Sequence, residues 1–102
     1  MSLKKQYLKT KPVSKVTFRL PRAAAPEADQ VHLVGEFNGW DPDATPMTRL
    51  KSGEFKVTVN LEVGREYRFR YLIDSQVWEN DWEADDYVDA GLDGAENSVV
   101  VV

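Results

Sequence analysis

From Lys15 onward apolar and polar residues alternate with a period of two, the mark of half-buried strands rather than helices. Val16, Phe18 and Leu20 share one face of a first strand. Pro21 and Pro26 then bracket Ala23, Ala24 and Ala25, so the alanine run reads as a loop. Gln30 to Gly35 predicts a second strand, and the Asn-Gly and Asp-Pro steps of EFNGWDPDATP predict a turn-rich loop that presents Trp40. Met47 to Leu50 predicts a short strand, and Ser52-Gly53 the tip of a hairpin leading into Phe55, Val57, Val59 and Leu61, which alternate with polar residues. After a turn at Gly64 comes the clearest strand, Glu66 to Ile73. Tyr67, Phe69, Tyr71 and Ile73 point one way along it, and Arg68, Arg70 and Leu72 the other. Asp74-Ser75 fits a tight turn into Gln76 to Glu79. Asn80 to Glu96 reads as acidic and irregular, and Asn97 to Val102 as a closing β-branched strand.

Roughly six or seven short strands separated by turn signals predict an all-β fold, an antiparallel β-sandwich. The length of 102 residues suits one domain. Its body is placed at 15–102. Residues 1–14 are either a basic N-terminal arm or an added edge strand, and Leu3, Tyr7, Leu8 and Val13 fit both.

Charge narrows the partners. The net charge is −4, but residues 1–15 carry five lysines and no acid, which leaves the remainder at −9. An acidic body makes nucleic acid and anionic membrane surfaces poor partners. The start lacks the apolar stretch of a secretory signal, and nowhere do ~20 apolar residues run together, so a soluble cytoplasmic protein is expected. With no cysteine there is no disulfide and no thiolate metal site.

Catalytic chemistry finds little purchase. His32 is the one histidine, it lies inside a strand, and it is expected on the strand surface. The six glycines form no phosphate-binding motif. A calcium loop begun at Asp81 would put Asp86 where glycine must turn the chain and Leu92 where a bidentate Glu is needed, so Glu79, Asp81, Glu83, Asp85, Asp86 and Asp89 read as a solvated acidic loop. A carboxylate pair for glycoside hydrolysis needs a cleft of fixed width that so small a sandwich scarcely offers. No enzyme, cofactor or metal is expected. The loop tryptophans Trp40, Trp78 and, more weakly, Trp82 either cap the ends of the sandwich or offer flat faces to a ligand. A pyranose ring suits the second role, because its C–H face stacks on indole and its hydroxyls seek partners such as Arg70 and Asn97. Arg70 belongs on the outward face of its strand, where the alternative is a surface cation paired with the acidic loop.

The segments VHLVGEFNGWDPDATPMTR, EYRFRYLID and NSVVVV, in this order, resemble the family 48 carbohydrate-binding modules, also called isoamylase N-terminal or early-set domains. The similarity runs from about Val16 to Val102. The family includes the glycogen-binding domain of the AMP-activated kinase β-subunit and the N-terminal domains of glycogen branching and debranching enzymes. The resemblance implies an immunoglobulin-like, early-set β-sandwich that binds α-glucans such as glycogen, starch or maltooligosaccharides without catalysis. It also implies roles residue by residue. Trp40, within the block of Gly35, Phe37, Asn38 and Trp40, matches the first stacking tryptophan, and Trp78 the second. Arg70 stands where kinase-type binders use lysine, and Asn97 matches the asparagine that opens the last strand. Ser75 replaces a usual turn glycine, Val77 is an insertion, Trp82 stands where proline is common, and Leu92 corresponds approximately to a leucine that inserts beside the sugar.

Two function classes follow from these residues. In the first, a free-standing, non-catalytic module binds an α-glucan polysaccharide or oligosaccharide through Trp40, Arg70, Trp78 and Asn97, with Trp82 as a third platform. In the second, the early-set domain has lost strong glycan binding, as many enzyme-attached relatives have. Its basic arm would then dock on a glycogen-metabolism enzyme or another protein.

Overall fold

A computed structural model describes residues 2–91 and 94–102. Among them, nine strands form two antiparallel sheets stacked as a sandwich, more strands than the sequence pattern alone predicts. The first sheet has the order β1 (Leu3–Tyr7), β2 (Val13–Leu20), β5 (Phe55–Glu62) and β4 (Thr48–Arg49). The second has the order β3 (Val31–Gly35), β6 (Glu66–Ile73), β9 (Glu96–Val101) and β8 (Asp86–Asp89), and β7 (Val77–Glu79) pairs with β6 beyond the end of β9. The fold is an all-β sandwich of the immunoglobulin-like, early-set kind. No helix among the described residues is long and apolar enough to cross a membrane.

Alternation decides which side chains meet. Val16, Phe18 and Leu20 of β2 oppose Val59, Val57 and Phe55 of β5 in register, and Tyr67, Phe69 and Tyr71 of β6 complete the core from the other sheet. Phe18 and Phe69 meet edge to face with centroids 5.0 Å apart, and Phe69 meets Tyr71 at 5.7 Å. Such contacts add ~0.5–1.5 kcal/mol each to the burial of the rings. The alanine run forms a single 3₁₀ turn at Arg22–Ala24 rather than a helix.

Three expectations need correction. His32 is buried, not on the strand surface, because β3 is buried on both faces and its free edge is closed by the returning loop. There Leu33 N donates to Thr45 O, Met47 N donates to Val31 O, and His32 forms a bridge with Pro46. The stretch from Asn80 to Glu96 is not wholly irregular, since Asp86–Asp89 forms β8 against β9. Asp81 is not solvated but 1% exposed, held by partners on β6 and β9.

The lysine-rich start forms edge strand β1, with Leu3 in the core and Lys4 to Tyr7 paired along β2. Lys5 points to the other sheet, and its Nζ lies 2.7 Å from Asp85 Oδ2. A lysine of the arm is thus engaged by the chain's own acidic segment.

Candidate functional site

The site lies on the outer face of the second sheet. On β6 the side chains facing away from the core are Arg68, Arg70 and Leu72. The register places Val34 and His32 of β3 beside Arg70 and Leu72, and Trp78 of β7 beside Leu72 on the opposite flank. Asn97 follows on β9. Arg70 Nε donates to Asn97 Oδ1 at 2.8 Å, which fixes the guanidinium plane across the strands. Arg70 therefore pairs with a neutral amide and makes no ion pair with the acidic segment among the described residues. Its two amino groups, and the Asn97 Nδ2 donor, bond no described residue.

Trp40 reaches this face through its loop, and the GxFNxW block explains how. An added Cβ at Gly35 would stand 2.6 Å from Arg68 O and 2.8 Å from Phe69 Cβ, so the first position admits only glycine if β3 is to lie this close to β6. A Gly35→Ala variant is expected to lose about 1–3 kcal/mol of stability in chemical denaturation, because both obstructing groups belong to a packed strand. Phe37 enters the core against Phe18 and Tyr67, at 5.7 and 6.1 Å. Asn38 staples the loop: its Oδ1 accepts from Gly35 N at 3.0 Å, and its Nδ2 donates to Leu33 O at 2.8 Å and to Thr45 Oγ1 at 3.0 Å. Trp40 N then donates to Gly35 O, and the backbone at Trp40 sits at φ 59°, in the left-handed region. Three residues of the block are structural. The fourth is left 38% exposed.

Trp78 is set by the β6–β7 turn, where Asp74 and Ser75 both have positive φ and Gln76 N donates to Ile73 O. Trp78 is 48% exposed. Together the residues form an open groove of about 460 Å³, lined by Glu36, Trp40, Arg68, Arg70, Trp78, Ala90 and Asn97. Four of the five residues singled out in the sequence line this groove. Trp82, though 53% exposed, does not line it, and Leu92 lies outside the described residues. Glu36 and Arg68 escaped the sequence reading. Arg68 shares the outer face with Arg70 by the same period of two, and Glu36 binds back to it, its Oε1 accepting from Arg68 N at 2.7 Å.

A larger groove, about 800 Å³, runs between β1 and the 83–85 segment, lined by Leu3, Lys4, Lys5, Arg19, Glu54, Glu83 and Asp85. Size does not make it the better candidate. It offers mixed charges and no aromatic face, whereas the smaller groove combines two exposed indoles with unspent hydrogen-bond donors, the pairing that a ring with an apolar face and a hydroxyl rim requires.

The chain is 38% identical over 63 residues to the 1,4-alpha-glucan branching enzyme GlgB of Butyrivibrio fibrisolvens, a match covering 62% of this chain and 10% of that protein. It is 55% identical over 38 residues to a 1,4-alpha-glucan-branching enzyme of Aspergillus oryzae, covering 37% of this chain and 6% of that one. Among solved structures, Klebsiella pneumoniae pullulanase complexed with maltotriose superposes with a TM-score of 0.62 at 25% identity, over 100% of this chain and 10% of that chain. The chain thus spans a tenth or less of the length of these relatives. Residues 7–88 match carbohydrate-binding module 48, the isoamylase N-terminal domain, and the chain belongs to that family.

Proposed function

We infer that the chain is a non-catalytic α-glucan-binding module whose groove takes maltooligosaccharide segments of glycogen or starch. The observation that carries this reading is the convergence of Trp40, Trp78 and the Arg70–Asn97 pair in one groove. The indoles stack on the apolar faces of glucose rings, while the Arg70 amino groups and Asn97 Nδ2 donate to hydroxyl oxygens. Relatives named for 1,4-alpha-glucan branching, and a structural neighbour complexed with maltotriose, support this choice of sugar. A shallow groove with two stacking contacts, each adding ~0.5–1.5 kcal/mol, holds a short oligosaccharide weakly. A polymer offering many glucan segments raises the apparent affinity in proportion to their number, while avidity would require modules linked to one another.

The test is native electrophoresis through a matrix containing glycogen. The parent is expected to be retarded and a Trp40→Ala variant to run freely. A parent that migrates at the same rate with and without glycogen refutes the proposal.

A further inference from the structure

Behind the binding face, within the core of the same sheet, lies a polar network whose members alternate with the groove residues. Tyr71 follows Arg70, Ser98 follows Asn97, and Asn80 comes two residues after Trp78. The centre is Asp81. Tyr71 Oη donates to its Oδ2 at 2.6 Å, and Glu83 N donates to its Oδ1 at 2.8 Å. Asp81 N donates to Ser98 Oγ at 2.8 Å, Ser98 Oγ donates to Asn80 Oδ1 at 2.8 Å, and Asn80 Nδ2 donates to Glu96 O at 3.0 Å.

These bonds tie the backbone that leaves Trp78 to β6 beside Arg70 and to β9 beside Asn97. The β-ladder alone secures Trp78 weakly, since β7 is three residues long and, among the described residues, pairs only with β6. A buried carboxylate is costly unless its acceptors are filled, so the network tolerates few arrangements. An apolar side chain in that space would impose no such fixed geometry.

We propose that Asp81 is a positioning residue for the glucan groove, setting the distance between the Trp78 platform and the Arg70–Asn97 pair; this rests on the α-glucan reading above. The test is a double-mutant cycle. Asp81→Asn and Ser98→Ala are made alone and combined with Trp78→Ala, with maltoheptaose affinity measured by calorimetry and folding by near-UV circular dichroism. Each single variant is expected to weaken binding about fivefold while remaining folded. Trp78→Ala, costing the parent about as much, is expected to cost less than twofold in either background, because the ring is already misplaced. A residue that merely holds the fold together would leave the Trp78→Ala loss the same in every background.

Additive losses, or folded Asp81→Asn and Ser98→Ala variants that bind like the parent, overturn the assignment. Should Asp81→Asn fail to fold, Ser98→Ala carries the comparison, since it keeps the carboxylate and its bond from Tyr71. A parent that does not bind maltoheptaose overturns the α-glucan reading and the positioning role with it, an outcome that the parent alone decides.

Discussion

A Trp40→Ala, Trp78→Ala double variant is expected to lose maltooligosaccharide binding by a factor between about five and about a hundred, since two stacking contacts contribute together ~1–3 kcal/mol. Starting from a weak site, that loss takes the module below retention on glycogen. The backbone adds a second, separable expectation at Trp40. A bulky residue at φ 59° pays ~1–2 kcal/mol for the left-handed conformation, a cost that alanine shares and glycine escapes. Trp40→Gly and Trp40→Ala should therefore be equally poor binders, yet the glycine variant should be the more stable by about 0.5–1 kcal/mol after its greater freedom in the unfolded chain is counted. Calorimetric titration with maltoheptaose checks the first statement and denaturant unfolding the second. Strain kept at an exposed tryptophan, where glycine would relieve it, is consistent with a ring retained for contact rather than for the fold.

Period-two alternation found β2, β5 and β6 because each lays one face on the core and turns the other to solvent. It fails where that condition fails. His32 looked exposed because β3 is buried on both faces, and a strand flanked by the Thr45–Met47 segment leaves no trace of that cover in its own sequence. Strand β8 was missed for the opposite reason: Asp86, Tyr87 and Asp89 are all exposed, so an edge strand shows no alternation at all.

Asp81 was indistinguishable from Asp85 in an acidic run. What buries it is a phenol ten residues earlier and a serine seventeen residues later. In the groove, Trp40 and Trp78 were legible because turn chemistry precedes each: Trp40 lies in its loop after Asn38-Gly39, and Trp78 lies on the short strand β7 just after the Asp74-Ser75 turn. Trp82 carried the same kind of signal, yet it does not line the groove; it follows the buried Asp81, whose Oδ1 accepts from Glu83 N. Local sequence proposes which aromatics are free. Which of them share a surface is decided by contacts far apart in the chain.

The same network gives the fold an alkaline weakness. Burial first, and then the negative charge of Asp81, hold the Tyr71 phenol well above its ordinary value of 10.0. In the unfolded chain the phenol ionises near that value, whereas in the folded protein it keeps its proton to higher pH. Between the two values the folded state holds a proton that the unfolded state has lost. The stabilisation is therefore complete below 10.0 and drains away as pH rises above it, by about 1.4 kcal/mol per pH unit until the folded phenol itself ionises. A Tyr71→Phe variant has no such proton. At neutral pH it is expected to be less stable than the parent by about 1.5–3 kcal/mol, because the buried Asp81 carboxylate loses a donor. Denaturation midpoints measured from pH 7 to 11 should then show the parent's advantage constant up to about pH 10 and shrinking beyond it. Curves that stay parallel throughout would mean that neither burial nor the Asp81 charge raises the phenol above its ordinary value in the folded protein.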